Sequence, residues 1–434
     1  MRSDEIRLTR GHGAMRASGM LYEPPQGDSS LSTRDNGVSP ANAAEKELTL
    51  KITDVEVLYL KIPRISEISN GTQDCAVVLV HTDEGVTGIG EADTAPSVAS
   101  AVVNAPRSHS VMVGLRDVLI GENPLDIERL WRKMYRSSLY YGRRGAVVHG
   151  ISGVDIALWD IKGKVYGRPV CELLGGSPQA KIRAYASGLF GRDGQETAQK
   201  AAKFKEAGFT AFKFGWMDFG RAEASDRAHI EGIRSAVGPD APVMLDVGWA
   251  YDSGGDEWDL KTATRRAVML ADYDVYWLEE PLPPDNMDDY GRLSERSPVR
   301  IAAGEQLSTI FDFRDLIERG KVDVLQPDVS RVGGITESMR IAALGYAHAK
   351  PVVPHHFSSG ILGAASIHVN ASIPNALFQE TPAPGEGSIL NTDLVVPQVQ
   401  LDDEGCIVIP SGPGLGIELN ADVVDEYRVD VGVV

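Results

Sequence analysis

From Pro178 to Glu380 the sequence repeats one arrangement: a short apolar run, a stretch with apolar residues at helical spacing, then another short run. The runs end near Ser187, Phe214, Asp246, Glu279, Gly304, Gln326, Pro354 and Glu380. Eight such strands separated by helices is the count of a closed barrel of parallel strands, because each helix covers the outside and returns the chain to the same end. An open, doubly wound sheet shows the same alternation, but it normally carries a glycine-rich phosphate turn after an early strand, and no such turn is visible. The expected fold class is therefore α/β, with a barrel as its larger part.

Upstream the pattern differs. Leu48-Thr49-Leu50-Lys51-Ile52 alternates, the stretches Asp54 to Ile62 and Ala76 to His81 are rich in Val, Leu and Ile, and Asp83-Glu84-Gly85 marks a hairpin turn. A small antiparallel sheet is expected here. Ile151, Val154, Ala157, Leu158, Ile161 and Val165 predict a helix from about Gly150 to Tyr166, stopped by Gly167-Arg168-Pro169. Residues 1–46 mix Gly, Ser, Pro, Asn and charges without apolar periodicity and read as an extension. The expected divisions are 1–46, an α+β segment over 47–178, the barrel over 179–385 and a C-terminal segment over 386–434.

A formal charge of −18 argues against nucleic acid or anionic membrane surfaces as partners, since both require a basic patch. An anionic substrate would need local positive charge, such as a metal. Cys75, Cys171 and Cys406 lie far apart without paired spacing, which predicts neither a disulfide framework nor a thiolate metal site and fits a reducing cytoplasm. No stretch has the continuous apolar length of a membrane span, and the N-terminus lacks a secretory apolar block.

Charged residues recur at the strand ends, where a barrel gathers its catalytic groups. Met244-Leu245-Asp246, Trp277-Leu278-Glu279-Glu280-Pro281 and Ala303-Gly304-Glu305 bring three carboxylates to successive ends. Two carboxylates about 4 Å apart repel by roughly 4 kcal/mol at an effective dielectric of about 20, so three of them need a cation. Oxygen-only ligation favours Mg2+ over zinc, which takes His or Cys. Leu325-Gln326-Pro327-Asp328 and Pro354-His355-His356 follow. Asp328 beside His355 predicts a dyad in which the acid fixes one imidazole nitrogen and the other serves as a base; His356 could take the same place. Lys213, in Thr210-Ala211-Phe212-Lys213, and Glu380, in Leu377-Phe378-Gln379-Glu380, add a cation and another acid.

These motifs, with Gly153-Val154-Asp155-Ile156-Ala157-Leu158-Trp159-Asp160, Gly333-Gly334 and Pro413-Gly414-Leu415-Gly416, resemble the mandelate racemase subgroup of the enolase superfamily from about Leu48 onward. The resemblance implies a (β/α)7β modified barrel under an α+β capping domain that the C-terminal segment completes. It implies magnesium on Asp246, Glu279 and Glu305, general-base chemistry by His355 with Asp328, a small carboxylate substrate and a homo-oligomer. Lys213 and a protonated Glu380 are expected to donate to the oxyanion that develops when the proton beside the carboxylate is removed.

Relatives that use two bases commonly carry Lys-x-Lys on the second strand, whereas this chain has Lys213-Phe214-Gly215-Trp216. Glycine cannot accept a proton, so elimination is favoured over racemisation. Gly248 likewise stands where relatives often place a polar amide, and Trp216 and Trp249 could shape the pocket or simply pack. Leu139-Tyr140-Tyr141-Gly142 and the Lys-x-x-Trp departure resemble the acid-sugar dehydratases, the rhamnonate-dehydratase-like branch in particular, with specificity expected from Pro63 to Asp74 and from Tyr140 to Arg144. The expected reaction is loss of water from an aldonate to give a 2-keto-3-deoxy acid. The alternatives are an epimerase or cycloisomerase with Asp218 replacing the lost lysine, and a metal-holding protein without catalysis, against which the intact set of acids argues.

Overall fold

A computed structural model of the chain describes residues 50–64, 73–248 and 258–429. The extension expected over 1–46, Trp249 and most of the loop from Pro63 to Asp74 lie outside the described residues. Strands β1 (Ile52–Lys61), β2 (Asp74–Thr82) and β3 (Thr87–Ala92) form the antiparallel sheet, and Gly85 turns the second hairpin at φ 77°. The helix Ala146–Tyr166 packs on this sheet. It starts ahead of the expected Gly150 because Val147 and Val148 extend its buried face, and it stops at Gly167, which adopts the left-handed conformation. A Cβ on Gly90 would lie 1.9 Å from the carbonyl oxygen of Gly153, so the backbones of strand and helix touch where a side chain would separate them.

Strands β4 (Ala184–Leu189), β5 (Phe212–Gly215), β6 (Val243–Asp246), β7 (Trp277–Glu279), β8 (Arg300–Ala303), β9 (Val324–Leu325) and β10 (Gln379–Pro382) form a parallel sheet in the order β10-β4-β5-β6-β7-β8-β9. Between β9 and β10, the segment from Val352 to His355 closes the ring through bridges to Leu325, Asp328 and Ala376. Seven of the eight expected strand ends fall within a few residues of an observed one, and the strand expected to end near Pro354 is present only as these bridges. The fold is the expected barrel with helices outside it and a separate antiparallel sheet.

Strand periodicity sorts the side chains. Tyr185, Ala211, Met244, Trp277, Ala302, Val324, Val353 and Phe378 form one buried cluster, with one residue from each stave of the barrel. Their chain neighbours Ala186, Phe212, Leu245, Leu278, Ile301, Leu325 and Val352 belong to the outer core beneath the helices. Two residues beyond the inner cluster, the same inward face carries Ser187, Lys213, Asp246, Glu279, Gly304, Gln326, His355 and Glu380. An apolar floor thus lies under a polar mouth, and one alternation produces both.

Two buried aspartates on the helix Ala146–Tyr166 join it to distant parts of the chain. Asp155 accepts from the backbone N–H (2.9 Å) and hydroxyl (2.6 Å) of Thr336, and Asp160 from the N–H groups of Ile89 (3.0 Å) and Leu415 (2.9 Å). Trp131 donates to the Gly333 carbonyl at 2.7 Å. Past the barrel, β11 (Val395–Val396) pairs with β12 (Glu418–Leu419), and β13 (Arg428–Val429) pairs with β1. Cys75, Cys171 and Cys406 are free thiols. No helix among the described residues is long and apolar enough to cross a membrane.

Candidate active site

Asp246 ends β6, Glu279 ends β7, and Glu305 follows β8. Gly304 occupies the inward position on that last strand at φ 137°, a conformation that side chains rarely adopt, and this turn carries Glu305 into the same group. One oxygen from each of the three buried acids lies within 4.8 Å of the other two. Burial, reinforced by Glu279, pushes the Asp246 carboxyl well up from its ordinary value, and Lys213 only partly opposes this. Burial likewise raises Glu279, although Lys213 donates to it at 2.6 Å.

Lys213 Nζ also lies 2.8 Å from Glu380 Oε1 and 3.9 Å from Asp246 Oδ2. Burial alone would lower its proton affinity, but Glu279 and Glu380 outweigh burial and hold it as an ammonium. Lys213 and His355 work against the protonated Glu380 expected from the sequence. Burial would raise its pKa, yet Lys213 and His355 carry it down to about 2, which favours the carboxylate, and it accepts from the His356 backbone N–H at 2.8 Å.

His355 Nδ1 lies 2.7 Å from Asp328 Oδ2, and Nε2 lies 3.3 Å from Glu305 Oε2. Ser330 donates its backbone N–H (2.8 Å) and its hydroxyl to Asp328 Oδ1, fixing the carboxylate. Burial disfavours the imidazolium, but Glu305 and the bond to Asp328 raise the His355 pKa to about 10. His356 is held differently: its ring nitrogens face the carbonyls of Glu380 and Ser359, each at 3.2 Å, and burial lowers its pKa. Of the two histidines, it is His355 that stands beside the acids. Asp218 pairs with His229 at 3.6 Å outside the ring of strands.

Several residues at the site carried no signal that sequence reading used. Glu280, the second acid of Trp277-Leu278-Glu279-Glu280-Pro281, is buried at φ 40° and accepts from Gln306 at 3.0 Å; burial, then Glu305 and Asp246, raise its pKa strongly. Arg331 spans 2.8 Å to Asp93, just after β3, and 3.7 Å to Glu305 Oε1. Glu91 on β3 accepts from the Ser359 hydroxyl at 2.6 Å and the Leu362 N–H at 3.1 Å, which fixes the turn after the histidines. Trp216, for which the sequence allows either shaping the pocket or packing, stands at φ 64° and donates its indole N–H to Asp246 Oδ2 at 3.2 Å.

The donor set suits a divalent cation. The carboxyl groups of Asp246, Glu279, Glu280, Glu305, Asp328 and Glu380 are answered by the cationic side chains of Lys213, His355 and Arg331, and the raised Asp246 marks where positive charge is short. Oxygen ligands in a buried triad fit a hard cation.

Comparison with known proteins agrees with this geometry. The "Enolase C-terminal domain-like" family matches residues 196–423, and the "Mandelate racemase / muconate lactonizing enzyme, N-terminal domain" family matches residues 49–175. The chain is 33% identical to a D-galactarolactone cycloisomerase of Agrobacterium fabrum, over 81% of this chain and 91% of that protein. It is also 33% identical to a D-xylonate dehydratase of Haloferax volcanii, over 88% of this chain and 89% of that protein. A crystal structure titled as a predicted mandelate racemase from Rhodobacter sphaeroides superposes with a TM-score of 0.80 at 32% identity, covering 89% of this chain and 97% of that one. With both domain families matched and the acids gathered at the barrel mouth, the chain belongs to the mandelate racemase / muconate lactonizing enzyme family of the enolase superfamily.

Proposed function

We propose that the protein is a Mg2+-dependent hydro-lyase that dehydrates an aldonate to a 2-keto-3-deoxy acid. The observation that carries this reading is the single base. His355 faces the acid triad, while Lys213 is an ammonium engaged by two carboxylates and Gly215 offers no proton acceptor opposite. A dication held by Asp246, Glu279 and Glu305 would supply the Lewis acid that makes the proton beside the substrate carboxylate removable.

The His355 imidazolium is held charged chiefly by Glu305; a dication on the triad would take up that carboxylate charge and leave the ring neutral. Nε2 of His355 then takes the C2 proton, and the C–H electrons pass into the carboxylate as an enediolate. Lys213 donates a hydrogen bond to the charge that develops there. The electrons then return to form the C2–C3 double bond as hydroxide leaves C3, protonated by the same imidazolium. The resulting enol becomes the keto acid, so one base completes the reaction with one water released. Asp328 holds the imidazole with Nε2 toward the substrate, and Glu380 keeps Lys213 charged.

A related reading, favoured by the cycloisomerase among the relatives, shares the first half-reaction and differs in the leaving group: a ring oxygen departs in place of hydroxide. In either case the substrate enters under residues 47–178, to which 386–434 return through β13 and β1, over the barrel of 179–385. Arg144, which donates to Asp312 at 2.6 Å, and Gly145, whose N–H donates to Ser308, join the specificity segment to the barrel mouth in support of this arrangement.

The test is incubation of the Mg2+-loaded protein with a panel of aldonates and sugar lactones in D2O. Keto-acid formation from an aldonate is expected. Deuterium entering unchanged substrate without elimination would argue for a racemase, and ring opening of a lactone alone for the cycloisomerase.

A further inference from the structure

Gln326 follows β9 and is 1% exposed, and neither its Oε1 nor its Nε2 has a hydrogen-bond partner. Its direction follows from the strand: Val324 belongs to the inner cluster, Leu325 to the outer core, and the Gln326 N–H continues the ladder by donating to the Ala303 carbonyl at 3.0 Å. The side chain therefore occupies the polar layer that also holds Lys213, Glu279, His355 and Glu380. On β8 the neighbouring inward position is Gly304, which carries no side chain, and the next stave carries His355. Burying both ends of a carboxamide without partners is unfavourable, and native chains keep such a group where a ligand completes it.

We propose that Gln326 is a specificity-determining residue that grips two adjacent hydroxyl groups of the substrate, Nε2 donating to one oxygen and Oε1 accepting from its neighbour. The proposal rests on the sugar-acid reading above and goes beyond it by naming the group that reads the polyol. The chemistry selects the occupant. A carboxylate only accepts and leaves Oε1 unpaired, and an apolar ligand leaves both ends unpaired, whereas a vicinal diol offers a donor and an acceptor at the spacing of an amide. A site built to bond a hydroxyl rejects the analogue lacking it far more strongly than an apolar pocket rejects one methylene.

The experiment compares the Mg2+-loaded parent with Gln326→Leu and the straighter Gln326→Met, using the aldonate the parent turns over best and its monodeoxy analogues. Both variants are expected to lose roughly 100-fold or more in kcat/KM, with the loss in KM. Discrimination against one pair of adjacent deoxy analogues should shrink by the same factor. Melting temperatures should equal or exceed the parent's, because no internal hydrogen bond is lost. Unchanged KM and discrimination in either folded variant would overturn the proposal, as would a fall in melting temperature with discrimination intact, which marks a structural amide. A parent that turns over none of the panel overturns the sugar-acid reading itself, and the proposal with it.

Discussion

A Cβ placed on Gly215 would stand 3.0 Å from the Cβ of Asp246, close enough that Asp246 would have to give by a few tenths of an ångström. The inward position at the end of β5, where two-base relatives carry their second lysine, is thus crowded by a candidate metal ligand, and Trp216 binds the same carboxylate from beside it. Gly215→Lys should therefore displace Asp246 before it supplies a base. Calorimetric titration with Mg2+ is expected to show affinity lowered about tenfold or more, with no exchange of the α-proton at the opposite face. Parent-like affinity together with new racemisation would show that the position is open after all.

Removing the imidazole isolates the base. His355→Asn should cost about 10²- to 10⁴-fold in kcat while Mg2+ affinity stays within a few-fold of the parent. Asp328→Asn is expected to fall in the same direction, because an amide no longer fixes which ring nitrogen carries the proton. A His355→Asn variant that forms keto acid at the parental rate would move the base elsewhere.

The barrel and its acids were legible because every apolar stave but one, whose inward position is Gly304, ends in a polar residue of the same face, so the strand ends and the carboxylates announce one another. The reach of Glu305 was legible only as a motif, since it depends on the turn at Gly304. The surroundings of Glu380 were not legible: they include a 2.8 Å approach by Lys213, and no spacing in the chain encodes that distance. Glu91, Asp93 and Arg331 were overlooked because they meet across long sequence separations and each alone resembles an ordinary surface charge. Gln326 stands within Leu325-Gln326-Pro327-Asp328, yet its unpaired amide is a property of burial.

Arg331 connects the first sheet to the triad, with Asp93 on one side and Glu305 on the other. Arg331→Met should weaken Mg2+ binding by about 10- to 100-fold, the usual cost of losing a group that orients a ligand. Asp93→Asn should shift it in the same direction by less. Equal metal affinity in all three proteins would reduce the bridge to packing.

Stability should depend on pH through two buried groups, Asp155 and His368; the ring nitrogens of His368 lie 3.3 Å from the Cys171 backbone N and 3.1 Å from the Leu415 carbonyl oxygen. Burial raises the Asp155 carboxyl to about 7 from 3.8, against the pull of Thr336. The folded chain therefore binds this proton more tightly than the unfolded chain, and the contribution present below pH 3.8 is lost as pH rises through about 7. Asp155→Asn should gain on the parent by up to a few kcal/mol in denaturant unfolding between pH 5 and 8. His368 works in the opposite sense: burial lowers it from 6.5 to about 4, so its contribution is present above pH 6.5 and lost as pH falls through 4. Parallel pH profiles for parent and Asp155→Asn would show that this carboxyl does not titrate in the folded chain.

Anomalous diffraction from crystals soaked in Mn2+, a stand-in for Mg2+ with the same preference for oxygen, tests the metal centre most directly. One strong peak is predicted within about 2.0–2.3 Å of oxygens from Asp246, Glu279 and Glu305, with the His355 ring facing it. A peak seated instead on the partly exposed Asp402, Glu404 and Cys406 group, or carboxylates left without one, would contradict the account.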